Sequence, residues 1–279
     1  MGTLKAEGIV LRHADYRDHD RMLLLLTPDH GLVDALCRGC RRPKSPLLPA
    51  GQCFSQGEYM FFRNRDRYTV TACSLLSVHY SLRQEPYRLT CASYMAGLCR
   101  AAAQPGEPAP ELYALLLWGL NQLASAEDET FLLVITSAFL LRYADVTGYR
   151  PRLNHCANCA GALSPPEGAA GVDPRAPVPG RNGGAASGPA AYSLWWDVQA
   201  GGLVCGNCAD KESMRLTGAQ AAWMRGVLAR GAEALSAILP PDPAGAPGVP
   251  ANEKALFVAL KRYVESRLET TLKVSKMLP

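Results

Sequence analysis

Long apolar runs are missing from this chain of 279 residues. The two longest, 131–141 and 112–120, are broken by polar residues and fall short of the roughly 20 needed to span a bilayer, so a soluble protein is expected. No apolar signal core follows Met1-Gly2-Thr3-Leu4-Lys5, and Ala6 stands where a myristoylation signal needs Ser or Thr, which points to a reducing cytoplasm. Charged residues make up only 19% and aromatics 8%, while hydrophobic residues at 48% are typical of a globular chain with room for two domains. Catalytic signatures are also lacking. No G-x-x-x-x-G-K-[ST] loop is present to cradle ATP phosphates, and there is no G-x-S-x-G elbow or H-E-x-x-H helix. The five histidines, His13, His19, His30, His79 and His155, have no metal-ligand spacing. Enzyme chemistry is therefore not expected.

Cysteine, by contrast, is patterned. Cys156/Cys159 and Cys205/Cys208 form two C-x-x-C pairs. Two such pairs supply the four soft, tetrahedral ligands that structural Zn²⁺ takes. Gly206 and Asn207 suit the positive φ of a tight turn, and Asn158 precedes the second sulfur of the first pair in the same way. The alternatives are a thiol–disulfide or zinc-dependent enzyme using these pairs, and a role for His155 as a replacement ligand. Roughly 45 residues separate the pairs, and most belong to a Gly/Ala/Pro/Ser-rich run, expected to be a disordered insertion at about 162–190. Loop-closure entropy grows logarithmically, so such an insertion costs only about 1 kcal/mol. A third pair, Cys37 and Cys40, lacks a partner pair and reads as incidental thiols. Cys53, Cys73, Cys91 and Cys99 read as small buried apolar residues.

Hydrophobic periodicity divides the chain. Period-two strands are expected at 7–11, 21–27, 32–37, 58–62 and 68–72, with turns at 15–18 and 28–31, a basic segment at 38–46 and a hairpin at 63–67. Five short strands with one long loop make a small closed barrel, of which the oligonucleotide-binding (OB) barrel is the five-stranded form. From about residue 86 the period becomes 3.6. Helices are expected at 87–103, at 111–125, and from a Ser125-x-x-Asp128 cap to a stop at Gly148. A strand at 192–196 carries Trp195 and Trp196, which should pack over the zinc module or against the last helices. Thr217-x-x-Gln220 forms a capping box before 221–231, and a Pro/Gly linker at 240–250 precedes an amphipathic helix at 252–277 with Glu269 four residues before Lys273. The fold class is α+β: an N-terminal five-stranded OB-fold β-barrel, then an all-α domain carrying a four-cysteine zinc module. The expected domains are 1–80 for the barrel, 81–149 for the first helical part, 150–212 for the zinc module and 213–279 for the second helical part.

Net charge is +4, and its distribution says more than its size. Residues 1–85 hold 12 basic and 9 acidic side chains, 86–210 hold 7 and 10, and 211–279 hold 10 and 6. Positive charge thus gathers at both ends of the chain, as a polyanion partner would require. Arg38, Arg41, Arg42 and Lys44 lie close together on the basic loop, where they could converge on a phosphate backbone or simply be solvated. Arg63, Arg65 and Arg67 alternate on the hairpin, with the same two readings. Tyr59, Phe61, Phe62 and Tyr68 offer stacking surfaces or core, and alternation leaves only one of Phe61 and Phe62 facing out. Near the C-terminus Lys254, Lys261, Arg262, Arg267, Lys273 and Lys276 form a further basic set.

Several of these segments resemble the bacterial DNA repair and recombination protein RecO family. They are Gly8-Ile9-Val10-Leu11, Asp20, Thr27-x-x-x-Gly31, the loop Gly39-x-Arg41-Arg42-Pro43-Lys44-Ser45, and Gly148-Tyr149-x-Pro151-x-Leu153-x-x-Cys156-x-x-Cys159. The resemblance covers about residues 5–160 and 192–212. It implies an OB barrel that binds single- and double-stranded DNA, annealing of complementary strands, and one structural Zn²⁺. It further implies work with RecR to promote RecA loading on DNA coated by single-strand-binding protein, and a helical groove for that protein's acidic, apolar C-terminal tail. No membrane partner is implied, and the location would be the bacterial cytoplasm, associated with the nucleoid. Two departures stand out: the long 160–190 insertion, and Cys40 where the family commonly has alanine. A protein-only adaptor whose barrel never meets nucleic acid is the remaining alternative.

Overall fold

The computed structural model describes residues 2–65, 67–126, 128–163, 194–230, 253–268, 272 and 277–278. The insertion expected at 162–190 lies outside them from 164 on, as do the 240–250 linker, Glu269, Lys273 and Lys276. Packing divides the chain into two compact units, Met1–Phe139 with Thr271–Pro279, and Leu140–Thr270.

Five strands open the first unit: β1 (Gly2–Tyr16), β2 (Asp20–Thr27), β3 (Gly31–Cys37), β4 (Gln56–Asn64) and β5 (Arg67–Ser77). They close in the order β1-β2-β3-β5-β4, with β3 and β5 parallel over Ala35–Cys37 and the other pairs antiparallel. This is the expected five-stranded barrel. β1 is far longer than the expected 7–11 because it serves two partners. Its first half pairs with β4 from Gly2 to Ile9, and its second half pairs with β2 from Ile9 to Tyr16. A bulge between Val10 and Arg12 supplies the bend that closure needs.

Inward-facing residues alternate along each strand: Ala6 and Val10, Leu23 and Leu25, Val33, Ala35 and Cys37, Tyr59 and Phe61, and Val70. Leu24 and Leu26 point the other way on β2 yet are also buried. That continuous run suits a strand covered on both faces, and α1 (Pro86–Ala102) and α2 (Pro110–Ser125) pack on β1 and β2. Glu85 caps α1, accepting the N–H groups of Tyr87 at 2.8 Å and Arg88 at 2.6 Å. The Arg88 guanidinium in turn donates to the Ala124 and Ala126 carbonyls that end α2. Helix and barrel are latched by one buried network: Glu7 Oε1 accepts from Gln56 Nε2 at 2.9 Å and from the Tyr113 hydroxyl at 2.8 Å.

α3 (Glu129–Val146) leads from the first unit into the second. Its cap is Asp128, whose Oδ1 accepts the Phe131 N–H at 2.7 Å. Ser125, expected to cap this helix, instead bonds back to Asn121 and Gln122 at the end of α2. The stop at Gly148 is as expected: with φ of 84° it lets Tyr149 N–H reach Ala144 O and Gly148 N–H reach Asp145 O. The second unit also holds a three-stranded sheet, β6 (Leu194–Asp197), β7 (Gly202–Cys205) and β8 (Met214–Leu216), in the order β7-β6-β8. α4 (Gly218–Leu228) starts from the Thr217/Gln220 capping box, both bonds of which are present at 2.9 and 3.1 Å. α5 (Glu253–Arg267) buries Leu256, Leu260 and Val264, and most of the expected helix beyond it lies outside the described residues. Trp196 packs edge-to-face on Tyr263 of α5 with ring centroids 5.3 Å apart, so it meets the last helix, one of the two expected places.

Removing one arm of the Glu7 latch tests its worth. Tyr113→Phe keeps the ring but leaves the carboxylate short of a donor, and should lower the urea-unfolding free energy by about 1–2 kcal/mol. A loss indistinguishable from zero would mean that burial alone holds α2 on the barrel.

Candidate nucleic-acid interface and metal centre

The basic loop leaves the barrel directly after Cys37 and is stitched to the β1–β2 turn. Asp20, the first residue of β2, accepts the Gly39 N–H through Oδ1 at 2.7 Å, and Arg41 N–H donates to His19 O at 3.0 Å. The Arg41 guanidinium reaches the same turn, donating to Asp18 O at 3.2 Å and Arg17 O at 3.4 Å and pairing with Asp15 Oδ2 at 3.3 Å. Asp15 Oδ1 accepts from Arg21 Nε at 3.0 Å, and Arg21 also donates to Gly51 O at the far end of the loop. The Arg21 hydrogen bond, then the nearby Arg41 charge, hold the Asp15 carboxyl below its ordinary range. Asp15 therefore stays ionised between two guanidinium groups.

This stitching makes one surface of two segments. Arg38, Arg41, Arg42 and Lys44 are exposed, as are Tyr16, Arg17 and His19 beside them. Among the described residues the side chains of Arg38, Arg42 and Lys44 make no hydrogen bond or ion pair, so their charges face solvent uncompensated. Tyr16 and Arg17 were not singled out from the sequence. Their signal was the position of an aromatic–basic pair in the first barrel turn, and its link to a loop some 20 residues on is visible only in the fold.

The hairpin arginines lead into β5, which enters beside β3 at the Ala35–Tyr68 register, whereas the basic loop leaves from the other end of this parallel pair, after Cys37–Val70. Arg63, Arg65 and Arg67 are exposed, and Arg65 turns with φ of 55°. Arg63 Nε donates to Arg65 O at 3.1 Å, and its guanidinium lies 5.6 Å from the Tyr68 ring centre. Of the four aromatics, Tyr59 and Phe61 are fully buried in the barrel core and offer no stacking face, because alternation turns them inward. Tyr68 is half-buried against Phe61, and Phe62 alone faces out, at 39% exposure.

Cys37 and Cys40 belong to that core, and burial pushes both thiols up, so neither offers a reactive thiolate. Cys91 and Cys99 are buried as expected. Cys73, within β5, and Cys53, in the segment before β4, are only half-buried, and Cys53 Sγ lies 3.4 Å from His13 Nδ1.

In the second unit the sulfurs of Cys156, Cys159, Cys205 and Cys208 all lie within 4.8 Å of one another, an arrangement that can hold a metal ion. His155 is exposed and outside the group. β7 organises the site. Residues before the first pair run along it, with Arg152 N–H donating to Gly201 O, Leu203 N–H to Arg152 O at 2.8 Å and Ala157 N–H to Leu203 O at 2.8 Å. Cys205 ends that strand and its N–H donates to Cys156 Sγ at 3.4 Å. Positive φ was expected at Asn158, Gly206 and Asn207, but falls instead on Ala160 at 59°. There the Ala160 N–H closes on Cys156 O at 2.9 Å, so the first turn is completed one residue beyond its second sulfur. Burial acts to raise the Cys156 thiol, yet the N–H groups of Cys159, Cys205 and Asn158 outweigh it and bring it down to about 6. Burial and hydrogen bonds with the other three sulfurs push Cys208 up to about 12.

Two family models match in sequence order: "Recombination protein O N terminal" over residues 1–79 and "Recombination protein O C terminal" over 83–175. Among curated relatives, the DNA repair protein RecO of Moorella thermoacetica is 34% identical over 158 residues, 57% of this chain and 58% of the relative. That of Pelotomaculum thermopropionicum is 36% identical over 166 residues, 60% and 63% of the two chains. That of Rubrobacter xylanophilus is 35% identical over 169 residues, 61% and 66%. In each case the match spans less than two thirds of the relative's own length.

Gly202 is the tightest point of the metal centre. A Cβ there would overlap the Arg152 backbone that runs against β7. Gly202→Ala should push the first sulfur pair away from the second and weaken metal binding about 10–100-fold, as loss of supporting contacts does elsewhere. Competition with a chromophoric chelator reads this directly, and an unchanged affinity would show that the pairs meet without that close approach.

Proposed function

The chain belongs to the RecO family, and on that premise we propose that it is a recombination mediator that grips DNA with the front barrel and recruits protein partners through the zinc-braced rear half. The observation that carries the DNA reading is the stitched surface: four cations on a loop held to the barrel by Asp15 and Asp20, three of them without a counter-charge among the described residues. Arg38, Arg42 and Lys44 would neutralise phosphates of single or double strands. Arg41 would do so while bracing the loop, and Arg63, Arg65 and Arg67 would add phosphate contacts from the separate β4–β5 hairpin. Annealing two complementary strands needs charge neutralisation and exposed bases rather than bond-making, which suits a chain without a catalytic set.

Zinc is the metal that suits the rear half. Four thiolates around a tetrahedral ion with bonds of about 2.3 Å stand about 3.8 Å apart. Cys159 and Cys205 Sγ are separated by 3.8 Å. All four positions are taken by protein sulfur, so the ion would be structural. Convergence of both pairs on one point favours this over a thiol–disulfide enzyme, which needs only one pair.

Work with RecR, loading of RecA and displacement of single-strand-binding protein are the family roles we assign to this chain, in the bacterial cytoplasm. No helix among the described residues is long and apolar enough to cross a membrane. A groove of about 420 Å³ in the second unit supports a site for an acidic, apolar peptide end. Its lining includes Trp196, Met214 and Val258 together with the cations Lys254 and Arg262 and one carboxylate, Glu212. The Trp196 indole N–H is buried without a hydrogen-bond partner among the described residues.

Titration of labelled single-stranded DNA at two salt concentrations tests the DNA reading. Arg41→Ala with Arg42→Ala should weaken binding to every sequence and make the log–log salt slope shallower by about 1.4, at roughly 0.7 per phosphate contact on single strands. Absence of binding by the unaltered chain at low salt would reject the proposal. For the groove, Arg262→Glu should abolish retention of a peptide that ends in acidic and aromatic residues, followed by fluorescence anisotropy, and leave DNA affinity intact.

A further inference from the structure

An exposed aromatic ring stands among the cations of the stitched loops, and its setting differs from that of the other exposed tyrosines. Tyr16 ends β1, is 41% exposed, and stands immediately before Arg17, whose guanidinium lies 5.2 Å from the ring centre. Arg17 is held with φ of 55°, a conformation that non-glycine residues rarely adopt. Its carbonyl accepts from Arg41, so the residue that turns the chain here is tied to the basic loop. The ring is thus positioned by the same contacts that position the cations. A tyrosine at the protein surface gains little by exposure, and an aromatic beside a phosphate-binding track is where unpaired bases stack. Tyr80 is a useful contrast. It is 62% exposed and also has a guanidinium, that of Arg83, 5.6 Å from its ring centre. That guanidinium, however, is spent on the Cys53 and Val78 carbonyls.

Resting on the DNA-binding reading above, we infer that Tyr16 is a base-stacking platform which makes the stitched loops prefer single strands to duplex. Phosphates bind Arg38, Arg42 and Lys44 whether or not the strand is paired. A base can lie on Tyr16 only when it is free of its partner strand, since in a duplex both faces of each base are already stacked. The Arg17 guanidinium on the ring adds a cation–π contact that anchors the platform and brings a positive charge to the adjoining phosphate.

The test compares Tyr16→Ala, Tyr16→Phe and, as a control, Tyr80→Ala in the full chain, with a single-stranded oligonucleotide and its duplex at one fixed salt concentration. Tyr16→Ala should lose roughly tenfold or more in affinity for the single strand and keep its duplex affinity within about twofold. Tyr16→Phe, which retains the π face, should bind like the unaltered protein, and Tyr80→Ala should change nothing. A 2-aminopurine in the strand gives a second readout, its fluorescence change on binding being reduced in Tyr16→Ala alone. Equal losses for both DNA forms would make the residue a support for the loop and overturn the inference, as would an unchanged single-strand affinity. If the unaltered chain binds neither form, the DNA-binding reading itself fails; if it binds and only these outcomes depart, the inference fails alone.

Discussion

Four cations on one short loop repel one another, and a loop that merely carried them would splay into solvent. What prevents this is a pair of carboxylates from a neighbouring turn. Asp20 takes the Gly39 N–H, and Asp15 sits between the Arg41 and Arg21 guanidinium groups. Neither carboxylate neutralises the whole loop. They hold its base against the barrel and leave Arg38, Arg42 and Lys44 facing solvent. A surface ion pair such as that of Asp15 and Arg41 contributes little stability by itself, about 0–1 kcal/mol. Its significance is geometric: joined to three backbone-directed hydrogen bonds, it fixes where the remaining charges stand.

The rear unit solves a different problem. A sheet with strands of four, four and three residues is too small to stand alone. The segment around Cys156 and Cys159 is too short for a core of its own, and is held by three backbone hydrogen bonds to Gly201, Leu203 and the return bond to Arg152. Sulfurs from the end of β7 and from that segment meet at one point, and Arg225 of α4 reinforces the junction by donating to Leu153 O at 2.7 and 2.9 Å. An ion bound there would link pieces that are far apart in sequence.

These two devices differ in how far they could be read ahead of the structure. The cluster of four sulfurs was legible because its logic is local: each C-x-x-C turn brings two sulfurs together, and only the meeting of the pairs had to be supplied. Helix stops and starts were legible for the same reason, as at Gly148 and in the Thr217/Gln220 box. Local reading erred where two candidates competed. Asp128 rather than Ser125 caps α3, because Ser125 is already engaged in the last turn of α2. Positive φ fell on Ala160 rather than on the expected glycine and asparagines, because closure of that turn depends on how the segment lies on β7. The outward ring of the Phe61/Phe62 pair depended on the strand's register with β1 and β5, and so did the burial of Tyr59.

Sequence by itself determined the period of each segment, hence five strands before the first helices, the two cysteine pairs, and the presence of clustered positive charge. Those properties depend on neighbours a few residues apart, where backbone geometry permits few choices. Only the tertiary structure decided that β1 would bend at a bulge to serve two partners, that Tyr16 and Arg17 would join a loop some 20 residues away, and that a groove would open beside Trp196. Each of these follows from barrel closure or from side chains meeting across elements, and such pairings leave no periodic trace in the chain.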